Sequence, residues 1–357
     1  MKVLTVVGAR PQFVKAGVVS KAFAETGIEE CLVHTGQHFD ERMSAVFFSE
    51  LNIPHPKYNL GIHSLGHGAM TGRMLENLEE LMIAENPACV VVYGDTNSTL
   101  AASLAAAKLH IPIAHVEAGL RSYNRRMPEE VNRVMTDHVS STLFCSSETG
   151  RKNLQAEGIS QGVHVVGDVM ADASRLARTI VQNDPRYIAK AIPEDLKQAT
   201  FSLLTLHRAE NTDNPTRLSE IVAALNQLTQ PVLFPIHPRT LEALDKCRLT
   251  LNSNVYCVQP LGYLEMTAAL TACQRVITDS GGLQKEAYWA KKLCVTLRDE
   301  TEWIETVEEG WNQLVVARLE SIADACLQCE TPETSPDSYG DGHSSVRIAA
   351  ILKTATN

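Results

Sequence analysis

Residues 2–35 read KVLTVVGARPQFVKAGVVSKAFAETGIEECLVHT, which is an apolar run, a turn, a helical stretch and a second apolar run. The two runs, Val3–Val7 and Cys31–Thr35, are short, as buried strands are. Strands that alternate with helices are typical of a parallel sheet covered by helices on both faces. The opening of the chain therefore predicts an α/β fold.

The same alternation continues in two sets that the polar stretch Gln182–Thr200 separates. The first set has further strands at Val90–Tyr93, Ile113–Val116, Thr142–Cys145 and Val163–Val166, and helices at Met70–Ala84 and Leu100–Leu109. The second set has strands at Phe201–Thr205, Val232–Ile236, Val255–Val258, Val276–Thr278 and Cys294–Leu297, and helices at Leu218–Leu228 and Leu264–Ala272. The chain of 357 residues is long enough for two domains. We therefore expect two Rossmann-like domains facing across a cleft.

The charge balance is acidic, with 42 Asp and Glu against 32 Lys and Arg and a net charge of −10. This charge disfavours non-specific binding to nucleic acid or to an anionic membrane. No stretch has the roughly 18 uninterrupted apolar residues that a membrane span needs. No basic segment leads into an apolar run after Met1. We expect a cytoplasmic protein that binds any phosphate-bearing ligand locally.

The nine cysteines are scattered along the chain. Four of them lie in apolar strand-like runs and are expected to be reduced core thiols, namely Cys31, Cys89, Cys257 and Cys294. Cys326 and Cys329 form a CxxC that no second pair accompanies, so a zinc site is not expected.

The turn after the first strand, GARPQFVK, leads into a helix that carries two cations, Arg10 and Lys15. Helix amides and cations at such a turn suit a phosphate group. The turn differs from the GxGxxG of a dinucleotide site because it has only Gly8. Arg10 as a cap or surface ion pair, and Lys15 as a solvated helix residue, are the alternative interpretations.

Carboxylates follow two neighbouring strands of the first set. Asp95 ends one strand in YGDTNS, and Glu117 ends the next in HVEAGLR. Because ligands bind at the carboxyl ends of parallel strands, we expect both to enter one cleft. Glu129 and Glu130 begin a helix in MPEEVNR. Each acid also has a structural interpretation, as a cap or turn residue for Asp95 and as a partner of the helix dipole for the two glutamates.

Two strands of the second set end in a histidine followed closely by an arginine. These pairs are His207-Arg208 in LHRAEN and His237 with Arg239 in IHPR. A histidine at such a position can be a loop residue whose ring nitrogens are hydrogen-bonded within the protein. The repetition at two strand ends instead suggests a surface that faces an anion.

The motif TDSGGLQKEA is the strongest local signal. Ser280, Gly281 and Gly282 stand at a strand-to-helix turn whose amides suit a diphosphate, and Glu286 can accept from a ribose diol. A simple helix cap is the alternative. Together with the carboxylates, which show no metal-ligand pattern, these residues fit a nucleoside-diphosphate sugar. Phosphoryl transfer on a P-loop is disfavoured because GxxxxGK[ST] is absent.

The motifs GARPQFVK, TGQH, YGDTNSTLA, HVEAGLRS, MPEEVNR, LHRAEN, HPR and TDSGGLQKEA together closely resemble the non-hydrolysing UDP-N-acetylglucosamine 2-epimerase family. The resemblance runs in order over nearly the whole chain. It implies a GT-B-like homodimer, with an N-terminal Rossmann-like domain at 1–170 and a C-terminal UDP-binding domain at 171–344. It also implies that a C-terminal helix, at about 345–357, packs back on the first domain.

The reaction that this resemblance implies inverts C2 of a UDP-sugar by anti elimination of UDP to a 2-acetamidoglucal and re-addition of UDP. No nicotinamide, other cofactor or metal is expected. By motif, the resemblance implies that Asp95, Glu117 and Glu129 are the acid/base carboxylates and that His207 assists UDP departure. It implies a set of UDP ligands, namely Arg10, Lys15, Ser280, Gly281, Gly282 and Glu286. A second, activating UDP-N-acetylglucosamine is implied at a regulatory site, namely Gln37, His38, Arg73 and His237.

The chain departs from the commonest family pattern in several places. Gln12 replaces the acid of GTRPE, Ala9 replaces its Thr, Gln313 stands where an arginine often does, and no tryptophan precedes PEE. In these respects it resembles the branch that acts on UDP-2,3-diacetamido-2,3-dideoxyglucuronate for surface polysaccharides.

The anionic C6 group of that substrate requires an extra cation, for which the candidates are Arg121, Arg125 and Arg126. The alternative functions are a GT-B glycosyltransferase, a hydrolysing 2-epimerase and an inactive UDP-sugar sensor.

Overall fold

The computed structural model of the chain describes residues 1–37, 54–315, 319–327, 331–333 and 337–355. The chain divides into two compact units. Unit 1 comprises Met1–Arg175 and Ser338–Asn357, and unit 2 comprises Leu176–Asp337. Each unit has one sheet in which every strand pair is parallel. The prediction of an α/β fold with two Rossmann-like domains is therefore confirmed.

The strands of the described chain are β1 (Lys2–Val7), β2 (Glu29–His34), β3 (Tyr58–Asn59), β4 (Cys89–Tyr93), β5 (Ile113–Ala118), β6 (Thr142–Cys145), β7 (Val163–Val165), β8 (Ser202–Thr205), β9 (Val232–Pro235), β10 (Val255–Val258), β11 (Arg275–Thr278), β12 (Leu293–Thr296) and β13 (Asn312–Leu314). The first seven form the sheet of unit 1 and the other six form that of unit 2.

The helices are α1 (Arg10–Thr26), α2 (His67–Glu85), α3 (Asn97–Lys108), α4 (Pro128–Val139), α5 (Glu148–Ala156), α6 (Val169–Asn183), α7 (Arg186–Ala191), α8 (Ala209–Thr212), α9 (Pro215–Gln227), α10 (Pro238–Cys247), α11 (Tyr263–Ala272), α12 (Gly281–Trp289), α13 (Ile304–Glu308), α14 (Leu319–Leu327) and α15 (Ser344–Ala355). A 3₁₀ turn spans Glu194–Leu196.

The sheet of unit 1 has the order β3-β2-β1-β4-β5-β6-β7. The direction of strand addition reverses between β1 and β4, and such a switch point opens a crevice at the carboxyl ends of the strands. Helix α3, which follows β4, packs on α2 and on the sheet. It can approach closely because its buried face is made of small side chains, namely Ala101, Ala102, Ala105 and Ala106.

The last helix, α15, belongs to unit 1 because Asp172 caps its first turn. The Asp172 carboxylate accepts from Ser344 N at 3.0 Å, from Ser345 N at 2.8 Å and from Ser345 Oγ at 2.6 Å. Lys353 Nζ also donates to the carbonyl of Thr26, at the end of α1. The predicted boundary after residue 170 falls inside α6, whereas the two units divide after Arg175.

The sheet of unit 2 has the order β10-β9-β8-β11-β12-β13, with the same reversal between β8 and β11. Its core joins the inner side chains of β8, β9 and β11 to α9 and α14, and Leu204, Phe234, Ile277 and Leu218 are all buried in it. The turns that follow β8 and β11 therefore flank the switch point of this unit.

The cysteine prediction is confirmed for Cys31, Cys89 and Cys294, which are buried and free, and it is wrong for Cys257. Cys257 is exposed because β10 is an edge strand with few buried positions. Cys326 is buried, and Cys329 lies outside the described residues. Across the described ranges, no helix is long and apolar enough to cross a membrane.

Candidate active site

Gln12 connects the two turns at the switch point of unit 1. Its buried Oε1 accepts from Gly8 N at 2.8 Å and from Ala9 N at 3.1 Å. Its Nε2 donates to the carbonyl of Tyr93 at 2.6 Å, where β4 ends. A carboxylate cannot donate to a carbonyl, so glutamine supplies a link here that an ionised glutamate does not. The departure at this position therefore has a structural role.

The two cations predicted beside this turn differ in what they contact. Arg10 begins α1, and its side chain lies outside what the structure describes. Lys15 is buried, and its Nζ pairs with Glu117 Oε2. Burial lowers the pKa of Lys15, but the charges of Glu117, Asp168 and Asp95 outweigh burial and leave the pKa raised. Lys15 is therefore a charged partner of the carboxylates, and its contact with UDP stays a prediction.

The backbone of Glu117 adopts an unusual conformation. Its φ is +72°, a left-handed value that a side chain other than glycine rarely adopts, and the register between β5 and β6 shifts at this point. A Cβ on Gly94 would lie 3.2 Å from Glu117 Oε2, and Gly94 N donates to the carbonyl of Val116 at 3.0 Å. Strain of this kind clusters at functional sites. The turns that carry Asp95 and Glu117 thus touch, as the sequence predicted.

Asp95 is held by two residues of α4. Its carboxylate pairs with Arg133 Nη2, and its carbonyl accepts from Asn132 Nδ2 at 2.9 Å. Sequence reasoning included both residues in the motif MPEEVNR but gave neither a role. Each of the two strand-end carboxylates is therefore paired with a cation that the fold supplies.

The structure distinguishes the two glutamates at the start of α4. Glu130 is buried, and it accepts from Ser122 N and Tyr123 N at 2.9 Å and from Arg133 Nη1 at 3.1 Å. Burial raises the pKa of Glu130, but these hydrogen bonds and Arg133 outweigh burial and leave the pKa lowered. The side chain of Glu129 is exposed and makes no hydrogen bond or ion pair with another described residue. Glu130 anchors the loop, and Glu129 is left accessible to a ligand.

The prediction that Arg121 can serve a substrate carboxylate is wrong. Its side chain is 1% exposed, and its guanidinium donates to Asp137 Oδ2 and to the carbonyl of Leu120, both at 2.7 Å. It also donates to both oxygens of Glu157, at 2.7 and 2.8 Å. Arg125 and Arg126, on the same loop, are exposed, and their side chains make no hydrogen bond with another described residue.

In unit 2, the buried Asp279 organises the turn after β8. It accepts from His207 N at 3.0 Å, from Arg208 N at 2.9 Å and from Asn211 Nδ2 at 3.2 Å. The His207 ring is 48% exposed, and its Nδ1 lies 3.3 Å from Asp279 Oδ1. A carboxylate at Nδ1 favours a proton on that nitrogen and directs Nε2 outward. Sequence reasoning missed Asp279, although it stands directly before Ser280.

The SGG turn begins α12, where Ser280 is the N-cap and its side chain accepts from Leu283 N. A Cβ on Gly281 would lie 3.9 Å from Arg208 Nη2 and 3.6 Å from Trp303 Nε1. The first amides of α12 and the Arg208 guanidinium therefore lie together at the end of β11. A helix N-terminus with an adjacent cation is a suitable site for a phosphate.

Glu286 lies one turn further along α12. Burial raises its pKa to about 7, and the neighbouring Lys285 offsets only part of that rise. Lys285 Nζ itself lies 3.8 Å from the centre of the Trp303 ring. Near neutral pH, Glu286 can therefore accept or donate a hydrogen bond toward a diol.

The predicted regulatory residues are divided between the two units, with Gln37 and Arg73 in unit 1 and His237 in unit 2. Gln37 Oε1 accepts from Ser98 N and Oγ, and Arg73 is exposed on α2. His237 is the N-cap of α10, where its Nδ1 accepts from Arg239 N at 3.3 Å. His38 lies outside the described residues. The regulatory site stays a prediction.

Glu286→Gln tests the raised pKa. Between pH 4.5 and about 7, native Glu286 keeps a proton that the unfolded chain has released. In this range the folded state binds more protons than the unfolded state. The contribution of this group to the free energy of unfolding therefore falls as the pH rises, by at most about 1.4 kcal/mol per pH unit. Relative to wild type, the variant should gain stability up to about pH 7 and level off above it.

The measurement is the free energy of unfolding in urea at several pH values, without ligand. Glu308→Gln, at an exposed position of the same unit, is the matched control and should follow wild type. Identical pH profiles for wild type and Glu286→Gln would show that Glu286 is already ionised throughout this range.

The chain is similar to known proteins over nearly its whole length. The sequence profile of the family described as UDP-N-acetylglucosamine 2-epimerase matches residues 21–353. The UDP-2,3-diacetamido-2,3-dideoxy-D-glucuronate 2-epimerase of Pseudomonas aeruginosa is 50% identical over 361 residues, which cover 99% of this chain and 99% of that protein. The UDP-N-acetylglucosamine 2-epimerase homolog of Methanococcus maripaludis is 47% identical over 358 residues, with the same coverage of 99% for each.

Among solved structures, the UDP-GlcNAc 2-epimerase of Methanocaldococcus jannaschii in complex with UDP-GlcNAc and UDP superposes with a TM-score of 0.83 at 42% identity. The match covers 99% of this chain and 100% of that one. The profile and the relatives extend over both units. This chain belongs to the UDP-N-acetylglucosamine 2-epimerase family.

Proposed function

We propose that this chain inverts C2 of a UDP-2-acetamido sugar and releases the product with UDP still attached. Membership of the family makes C2 epimerisation of a UDP-sugar its reaction class. The observation that carries the proposal is the pair of strand-end carboxylates, Asp95 and Glu117, each held by its own cation.

The chemistry requires groups of this kind. A C2 proton with no adjacent carbonyl is hard to remove unless the leaving group at C1 departs as well. A carboxylate takes the C2 proton, the electrons of that bond form the C1–C2 double bond, and UDP leaves with the electrons of the C1–O bond. Protonation of the glycal at C2 from the opposite face, with return of UDP to C1, gives the epimer. Asp95, Glu117 and Glu129 are the proposed proton carriers.

The groups of unit 2 suit the departing UDP. The amides at Gly281 and Gly282, together with Arg208, supply positive charge for a diphosphate, and charge of this sign stabilises the leaving group. His207, oriented by Asp279, is proposed to donate to the departing oxygen. Glu286 is proposed to bind the ribose diol. Arg10 and Lys15 complete the proposed UDP-binding set carried over from the family.

We further propose that the substrate carries an anionic C6 group, as UDP-2,3-diacetamido-2,3-dideoxyglucuronate does. Support comes from Arg125 and Arg126, which are exposed on the loop between the strand of Glu117 and the helix of Glu129. The relative that is 50% identical is named for that substrate. UDP-N-acetylglucosamine is the second candidate, because other relatives are named for it.

A cytoplasmic homodimer that supplies surface-polysaccharide precursors is part of the same proposal. Eight described cysteines are free, which is usual in a reducing compartment. The dimer and the pathway rest on analogy with the family.

The reaction is tested by proton NMR in deuterated water, with each of the two UDP-sugars incubated separately. The C2 proton signal should disappear as the epimer accumulates, with no free UDP or free sugar building up. Glu117→Gln should abolish this exchange and keep its affinity for UDP, because the amide cannot accept the proton.

Three outcomes would contradict the proposal. UDP that accumulates with free sugar would indicate a hydrolysing enzyme, and UDP binding without any C2 exchange would indicate a transferase or a sensor. Full activity in Glu117→Gln would remove Glu117 from the acid/base set.

The substrate proposal is tested by the double variant Arg125→Ala and Arg126→Ala. Loss of a charge-assisted hydrogen bond, worth about 1.5–3 kcal/mol, should lower kcat/KM for the glucuronate roughly tenfold or more. Turnover of UDP-N-acetylglucosamine should not change. Arg151→Ala, which removes an exposed arginine from α5, is the control and should leave both substrates unaffected. Equal losses for both substrates would refute a contact with C6.

A further inference from the structure

His115 lies in β5, is fully buried, and uses both ring nitrogens. Its Nδ1 lies 2.7 Å from Asp137 Oδ1, and its Nε2 lies 2.7 Å from the carbonyl oxygen of Gly94. A carbonyl oxygen only accepts, and so does an ionised carboxylate. Two acceptors at hydrogen-bond distance favour a proton on each ring nitrogen, which is the imidazolium form of the ring.

The proton belongs to the ring because Asp137 is ionised. Asp137 Oδ2 accepts from Arg121 Nη1 at 2.7 Å and from Gly119 N at 3.2 Å. Burial raises the pKa of Asp137, but His115 and Arg121 outweigh burial and leave the pKa lowered. The two donors on Oδ2 and the charge of Arg121 stabilise the ionised form of Asp137.

The charges around His115 balance. Arg121 pairs with both the buried Asp137 and the exposed Glu157, so the cluster contains two cations and two carboxylates when His115 is an imidazolium. His138 Nε2 lies 3.3 Å from Glu157 at the exposed end. The thiol of Cys145 faces the same cluster and is neutral, since burial and then Asp137 raise its pKa to about 12. When His115 is an imidazolium, Glu157 supplies the second negative charge that balances Arg121 and the ring.

This cluster holds the peptides next to both strand-end carboxylates. The Gly94 carbonyl belongs to the peptide group between Gly94 and Asp95. The hydrogen bond from His115 Nε2 therefore fixes the orientation of this peptide plane. The Gly119 N–H is part of the second peptide after Glu117, so Asp137 fixes the exit of that turn. Gly119 has φ +79°, and a Cβ there would lie 2.3 Å from the carbonyl oxygen of Gly150. The backbone on both sides of the strained Glu117 is therefore fixed.

We propose that His115 is a positioning residue whose doubly protonated ring, together with Asp137, holds the turns that carry Asp95 and Glu117. The role of those two carboxylates rests on the proposed function. The protonation state of His115 is independent of that function, so each of the two claims can be refuted without the other.

The first experiment observes the wild-type protein without substrate. Histidine labelled with ¹⁵N is incorporated, the His115 signals are identified by their absence from His115→Gln, and the two ring nitrogens are correlated with the ring protons. At neutral pH both nitrogens of His115 should show protonated shifts. One unprotonated ring nitrogen would overturn the proposal, whatever the enzyme turns out to catalyse.

The second experiment separates positioning from folding. In His115→Gln, kcat for C2 exchange should fall by roughly 10²-fold, the loss that a small misplacement of catalytic groups can cause. Affinity for UDP, whose proposed ligands are mostly in unit 2, should be retained. Thr5→Val is the matched control, because it removes a partly buried hydrogen bond from Thr5 to Glu30 within the same sheet. It should lower stability without lowering kcat.

A folded His115→Gln with wild-type kcat would overturn the proposal. So would parallel losses of kcat and UDP affinity, or a loss of kcat in Thr5→Val as large as in His115→Gln. If His115→Gln does not fold, Asp137→Asn takes its place in the kinetic comparison. The wild-type histidine signals are then assigned by elimination against single substitutions of the other histidines.

Discussion

The hydrogen bond from Gly94 N to the carbonyl of Val116 joins the ends of β4 and β5, and the candidate site of unit 1 depends on this contact. It brings two turns that are far apart in sequence against each other, with the Glu117 carboxylate lying against Gly94. Carboxylates on two adjoining turns are stabilised by nearby positive charge. Lys15 from α1 and Arg133 from α4 provide that charge. The site thus combines residues from four elements, in which α1 and α4 supply the cations that pair with the carboxylates at the ends of β5 and β4.

The two units contribute different chemistry. Unit 1 presents carboxylates in a network of paired charges, which suits proton transfer to and from carbon. Unit 2 presents amides, a guanidinium and a histidine at the ends of β8 and β11, which suit a diphosphate that leaves and returns. The chain has a net charge of −10. Single cations at the turns, such as Arg208, therefore provide the positive charge for a diphosphate, and an extended basic surface is not required.

Sequence predicted the elements well where each has its own pattern. Sequence predicted β1, β4 and β11 and the turn that follows each of them. In these places a strand pattern, a turn motif and a helix pattern follow one another directly along the chain. β3 and β13 were missed because they are edge strands of two and three residues, too short for a periodic pattern. Cys257 was misassigned because an apolar run does not reveal that its strand lies at a sheet edge.

Roles that depend on tertiary partners were harder to predict. Arg121 stood among candidate substrate ligands, yet Asp137 and Glu157, which occupy its guanidinium, are 16 and 36 residues away in sequence. Glu129 and Glu130 are adjacent in sequence, and only the loop that Glu130 anchors distinguishes them. Asp279 was missed because its partners lie about 70 residues earlier, on the turn after β8.

The central claim is that UDP leaves C1 and returns while C2 is inverted. The most direct test uses a UDP-sugar whose bridging oxygen between C1 and the diphosphate is a heavy isotope. If UDP departs and returns, the label should spread to the non-bridging oxygens of the same phosphate during turnover. Inversion of C2 with the label fully retained in the bridge would contradict the account, because the C1–O bond would never have broken.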